Sequence, residues 1–138
     1  MNRPSKDQYY IGIAERVLAR GTCLRRNYGA VIVKDDEIVG TGYTGSSRGD
    51  MNCCDTGFCL REENNIAPGE HYELCHSVHA EANAIISAGR SRCLGATIYV
   101  VGKNAKTGDF ISTIPCDMCM RLIKNAGIIK WIIPFDLE

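Results

Sequence analysis

The chain carries no excess of charge: lysine plus arginine and aspartate plus glutamate number 16 each in 138 residues, for a formal net charge of zero. That removes the global field that draws a protein to nucleic acid or to an acidic membrane. No apolar run approaches the roughly 18 residues of a membrane span. The start, Asn2-Arg3-Pro4-Ser5-Lys6-Asp7, is polar where a secretory signal would be apolar. There is no internal repeat and no low-complexity tract. The expectation is a cytoplasmic protein with neither a nucleic-acid nor a membrane partner. Its length suits one domain, 1–138, large enough to bury roughly two-thirds of its unfolded surface. What the chain does have is cysteine, eight in all. Without a secretion signal such a count points to metal rather than disulfides, because cytosolic thiols are kept reduced.

Two short strings carry chemistry: His79-Ala80-Glu81 and Pro115-Cys116-Asp117-Met118-Cys119. Together they make the H-x-E and P-C-x-x-C pattern of zinc-dependent base deaminases. One neutral imidazole and two thiolates fill three positions of a tetrahedral zinc ion and leave the fourth for water. The ion lowers the pKa of that water toward roughly 7, so that hydroxide serves as the nucleophile at neutral pH. Glu81 is close enough to His79 to reach the site without binding the ion, take the proton of the water and return it to substrate nitrogen. Each piece alone has a plainer explanation: a redox pair at Cys116 and Cys119, a packed histidine, a solvated helix charge. A thioredoxin-like pair follows an early strand, however, and this one lies near the end of the sequence. The joint pattern favours zinc.

The surroundings of both strings read as helix. Pro115 suits a first helical position, and Met118, Leu122, Ile123 and Ala126 follow at helical spacing until Gly127 supplies a C-cap. Cys116 and Cys119 then share a face at a helix start whose free N–H groups and dipole favour thiolate. A second helix is expected from near Val78 through Ala82, Ile85, Ile86 and Ala88 to Gly89, with His79 and Glu81 in its first turn. Ser5-Lys6-Asp7-Gln8 reads as a capping box. It opens a helix whose apolar face joins Tyr9, Ile13 and Val17 to Tyr10, Ala14 and Leu18, ending at Gly21. Residues 30–33 and 38–43 flank Asp35-Asp36 as a hairpin of two strands. The polar, cysteine-bearing stretch 44–77 carries a short helix over 60–64 and a turn at Pro68-Gly69, and it is too long for an idle connection. Residues 96–101 make a third strand. Residues 128–134 make a fourth, parallel to the third across the Pro115 helix.

From Thr22 to Ile133 the chain resembles the deoxycytidylate deaminase family of the cytidine deaminase superfamily. The resemblance rests on Gly29-Ala30-Val31-Ile32-Val33-Lys34, Gly42-Tyr43-Thr44-Gly45, Asn52-Cys53-Cys54-Asp55, Cys59-Leu60-Arg61-Glu62, His79-Ala80-Glu81-Ala82-Asn83-Ala84-Ile85 and the Pro115 string. It implies an α/β, three-layer cytidine deaminase-like fold, a mixed sheet of about four strands with helices on both faces. It implies hydrolysis of the 4-amino group of dCMP to dUMP and ammonia, and a homo-oligomer, by analogy a hexamer. The family commonly has Asn where this chain has Thr44, and that Asn looks like a sugar-hydroxyl contact. The substrate-contact candidates are therefore Thr44 and Ala80 beside the metal strings, with Arg26 or Arg48 for the 5′-phosphate. Arg20, Arg25 and Arg26 form a basic cluster able to hold one phosphate.

Five cysteines lie outside the catalytic ligands besides Cys93, which is assigned to packing. Their clustering and the resemblance imply a second, structural zinc held by Cys23, Cys59, Cys75 and one of Cys53 or Cys54. His71 and His76 read as solvated loop residues. Two alternatives stand beside dCMP deamination. One is the same chemistry on cytidine, dCTP, a free base or an RNA base, the last requiring a basic stripe that a neutral chain does not offer. The other is a zinc-stabilised module without turnover, which would have no need of Glu81.

Overall fold

A computed structural model describes residues 2–137. In chain order its elements are α1 (Lys6–Leu18), β1 (Arg26–Lys34), β2 (Glu37–Tyr43), β3 (Gly45–Ser46), α2 (Cys53–Thr56), α3 (Leu60–Glu63), β4 (Ser77–Val78), α4 (Ala80–Ala88), α5 (Arg90–Cys93), β5 (Thr97–Asn104), α6 (Asp117–Asn125) and β6 (Lys130–Ile132). Four strands form one sheet in the order β2-β1-β5-β6, antiparallel except for the parallel β5–β6 pair. The α6 crossover between β5 and β6 is what permits that parallel pair.

Alternation along the strands sorts the side chains into two cores. Val31, Val33, Tyr99 and Val101 face α1, whereas Ala30, Ile32, Ile98 and Val100 face α4, α5 and α6. The three layers follow directly: one helix, the sheet, then three helices. Ile32, Ile98 and Ile123 are fully buried, each worth roughly 1.5–3 kcal/mol of burial. Cys93 packs in the second core as expected, and burial pushes its thiol pKa up, so it is inert.

Helix α1 opens with the reciprocal capping box: Gln8 N–H donates to Ser5 Oγ at 3.1 Å and Ser5 N–H donates to Gln8 Oε1 at 2.8 Å. Its buried stripe is Tyr10, Ile11, Ala14 and Leu18, with Tyr9 49% exposed. The expected face is thus rotated. Ala14 and Leu18 sit against the bare backbone of Gly29, and Tyr9 lies about 140° around the helix from Ala14. The hairpin turns where expected, with Asp35 and Asp36 both at positive φ (52° and 61°), the geometry that matches strand twist.

Element ends differ from expectation wherever pairing rather than side-chain type sets them. β1 begins at Arg26 and β5 runs on to Asn104, because their ladder continues through Asn27↔Lys103 and Tyr28↔Gly102. β6 contracts to Lys130–Ile132 because it has β5 on one side only. Met118 and Leu122 are exposed while Cys119 and Ile123 are buried, so α6 presents a different stripe to the sheet. The stretch 103–113 folds back on β5: Lys103 bridges Phe110, and Ile111 N–H donates to Gly102 O at 3.0 Å. It ends at Thr113, buried against Val100. The two-residue pair β3–β4 closes the base of the 44–77 segment, a feature too short for any sequence pattern to mark.

Candidate active site

β4 ends at Val78, paired with Gly45, so the next residue, His79, falls at the N-cap of α4. Helix α4 lies tight on β2: a Cβ at Gly42 would collide with the Ala80 carbonyl and the Ala84 amide, and one at Gly40 would come within 2.6 Å of the Ala84 carbonyl. Cys116 is the N-cap of α6. Both helices therefore begin two residues later than expected, at Ala80 and Asp117, and their leading metal donors cap helices rather than sit inside them. Two positive helix ends converge there.

His79 Nδ1 lies 3.2 Å from Cys119 Sγ and 3.6 Å from Cys116 Sγ. Zinc bonded at its usual lengths to nitrogen and sulfur holds such atoms about 3.5 Å apart across a tetrahedral angle. The donor set fits zinc in chemistry and in spacing. Among the described residues no fourth donor joins the group, whose atoms all lie within 4.8 Å of one another. Cys119 is 1% exposed, and burial, then the charges of Glu81 and Cys116, hold its thiol far above the ordinary range. Only a cation among these atoms makes a thiolate favourable there.

Glu81 is 6% exposed and lies beside Cys119, whose pKa its charge raises. With His79 and Cys116 it lines a cavity of about 310 Å³, within the range of small-molecule sites. Tyr28, Thr44, Arg25, Arg26, Arg61, Tyr72 and Thr113 are also in the wall. Tyr72 meets the His79 ring edge-on at 5.4 Å. Burial pushes the Tyr28 phenol up, and neighbouring Arg26 partly offsets this.

The substrate-contact candidates divide. Arg26 and Thr44 line the cavity, but the Thr44 hydroxyl is engaged, accepting from Tyr28 N–H at 3.0 Å. Arg48 sits in the exposed turn that Asp50 N–H closes onto Ser47 O and is not among the residues lining the cavity. Ala80 is buried under Gly42 and lies behind the wall. The basic trio separates as well. Arg20 stacks on Tyr43 at 5.8 Å and Arg25 pairs with Glu62 at 3.1 Å. Arg61, Tyr72 and Thr113 were missed, since they reach the cavity only through the fold of irregular segments.

A second group of thiols borders the same cavity. Cys23, Cys59 and Cys75 line it. Burial pushes the Cys53 pKa up, and the nearby charges of Cys23, Cys75 and Cys59 push it further. Arg25 N–H donates to Cys23 Sγ at 3.4 Å. Cys54 is exposed beside Asp55. This group is looser than the first, without three donors inside 4.8 Å. His71 and His76 are exposed, as expected for loop residues.

Three nitrogen and sulfur donors with a buried acid at a cavity describe a catalytic metal rather than a closed structural one. On this α/β scaffold they define a zinc-dependent hydrolytic deaminase. Residues 4–134 match the cytidine and deoxycytidylate deaminase zinc-binding region, and the chain belongs to that family. It is 37% identical over 139 aligned positions to the deoxycytidylate deaminase of Mycobacterium phage D29, covering 97% of this chain and 98% of that one. It is 36% identical over 126 positions to the deoxycytidylate deaminase of Schizosaccharomyces pombe, matching 91% of this chain but 36% of the longer yeast protein. The fold is shared with the dCMP deaminase of cyanophage S-TIM5, whose crystal structure holds dCMP and dUMP: TM-score 0.66 and 22% identity over 96% of this chain and 83% of that one. Among the described residues no helix is long and apolar enough to cross a membrane.

Proposed function

We propose that this chain hydrolyses dCMP to dUMP and ammonia. The observation that carries the reading is the meeting of Glu81 with the His79, Cys116 and Cys119 donors at one cavity, in a chain matched nearly end to end by a phage deoxycytidylate deaminase. In this reading His79, Cys116 and Cys119 hold zinc. Bound there, the metal supplies Lewis acidity that lowers the pKa of water. Glu81 takes a proton from the attacking water and delivers it to the departing nitrogen as the new C4–O bond forms and the C4–N bond breaks. Its burial keeps bulk water from competing for that proton. Arg26 serves at the phosphate end, and the wall around Tyr28 and Thr113 orients the base. Ammonia release by the zinc-loaded protein on dCMP, CMP, dCTP, cytidine, cytosine, guanine and adenosine tests the assignment. Fastest turnover of dCMP is expected, and absence of dCMP turnover would refute it.

The thiol group supports a second zinc on Cys23, Cys53, Cys59 and Cys75, with Cys53 favoured over exposed Cys54. Two zinc ions per chain are then expected by elemental analysis, and one in the fully active protein would exclude this site. Ligand thiols must stay reduced, which suits the cytoplasm. The exposed apolar side chains of Ile86, Ile114, Ile129 and Trp131 support a homo-oligomer, measurable by light scattering.

A further inference from the structure

An imidazole that binds zinc is ordinarily fixed in plane by a carbonyl or carboxylate that accepts from the ring nitrogen turned away from the metal. His79 turns Nδ1 toward Cys119 and Cys116, and among the described residues no protein group hydrogen-bonds its other ring nitrogen. What meets the imidazole instead is the ring of Tyr72, with centroids 5.4 Å apart and planes at 79°. That edge-on arrangement is one in which aromatic rings attract.

The Tyr72 ring is aimed from its own backbone and held from its face. His71, just before it, has a φ of 51°, in the left-handed region that a residue with a side chain seldom occupies. The turn that follows is closed by Leu74 N–H on His71 O at 3.0 Å and by Cys75 N–H on Tyr72 O at 2.9 Å. Over the ring lies the Arg61 guanidinium, its carbon 4.9 Å from the ring centre. Arg61 is 8% exposed, and among the described residues no carboxylate pairs with it, Glu62 being taken by Arg25. One Nη donates to the Ala67 carbonyl at 3.1 Å, and Nε is buried without a partner. Arginine cannot shed its proton, so the Ala67 carbonyl and the π face of Tyr72 are what offset the buried charge. A ring that swung away would leave that charge less compensated, which holds the ring in place.

We infer that Tyr72 is a positioning residue: braced by Arg61, its ring fixes the plane of the His79 imidazole and so the direction in which Nδ1 points. The inference rests on the reading of His79, Cys116 and Cys119 as zinc ligands and adds to it a residue outside the donor set. One contact then accounts for both the strained backbone at His71 and a buried arginine without an ion pair.

The test compares wild type, Tyr72→Phe and Tyr72→Leu in kcat and KM for dCMP and in the rate at which a chromogenic chelator takes zinc, followed in the phase that coincides with loss of turnover. Tyr72→Phe keeps the ring, and all three quantities should stay within a few fold of wild type. In Tyr72→Leu kcat should fall and zinc release should quicken, each about ten- to a hundredfold, the scale for groups that orient a metal ligand, while KM stays within a few fold. Unchanged zinc release in Tyr72→Leu would overturn the inference, as would losses in Tyr72→Phe equal to those in Tyr72→Leu. A raised KM with kcat and zinc release unchanged would make Tyr72 a substrate contact and overturn it too. If Tyr72→Leu does not fold, Tyr72→Met is judged by the same outcomes. Wild-type zinc content in His79→Ala sinks the zinc reading itself, whereas unchanged release in Tyr72→Leu sinks the role of Tyr72 alone.

Discussion

Glu81 is a buried acid beside a buried thiol, an arrangement that repels charge unless a metal and a proton-transfer task are present. Glu81→Gln keeps the shape and removes the shuttle. The variant should retain zinc and its melting temperature while losing at least the roughly 10²- to 10⁴-fold typical of general acid–base groups. Activity within a few fold of wild type would remove Glu81 from the mechanism. Cys116→Ala or Cys119→Ala should lower metal content by one ion per chain and abolish turnover, and unchanged stoichiometry would reject these ligands. His79, Glu81, Cys116 and Cys119 were legible in the sequence because a metal and its acid demand particular residue types at short spacing. Arg61 was not, because nothing local distinguishes it from the solvated Arg48.

At the scale of elements, the site depends on how closely α4 lies on β2. A methyl group at Gly42 meets backbone atoms of Ala80 and Ala84, which cannot rotate away. Gly42→Ala should therefore destabilise the protein by about 1–3 kcal/mol. It should also lower kcat through displacement of His79 and Glu81, which denaturant unfolding and steady-state kinetics would measure separately. Helix α1 is clamped to the hairpin in another way: Tyr10 Oη donates to Asp36, which Lys6 also holds at 2.7 Å. That hydrogen bond, then burial, raises the Tyr10 pKa from 10.0 to about 12. The folded state then keeps a proton that the unfolded chain loses above its ordinary value. The stability so gained is complete below pH 10 and disappears as pH rises toward 12. Tyr10→Phe should flatten that alkaline decline in a series of melting curves. Tyr99, raised by burial and by its hydrogen bond to Asp7, leaves part of the decline in place.

Across the whole molecule, the two donor groups share one cavity but answer to different requirements. The first lines it through His79 and Cys116, whereas in the proposed reading a zinc ion on Cys23, Cys53, Cys59 and Cys75 would join the approach to β1, the 44–77 segment and the approach to α4. Cys59→Ser should lower the melting temperature and take total zinc from two per chain to one, with the ion on His79, Cys116 and Cys119 retained. Full retention of both ions would reject Cys59 as a ligand. By itself the sequence determined where the four strands of the sheet lie, the hairpin turn at Asp35-Asp36, the capping box and the two chemistry-bearing strings around His79 and Cys116, since each is written in residues within a few positions of one another. The tertiary structure alone decided which stripe of α1 and α6 is buried, where the long strands end and which arginines reach the cavity. Those outcomes are set by what lies opposite: Gly29 beneath α1, the β1–β5 ladder carried through polar residues, and a 44–77 segment whose path follows from the partners it meets.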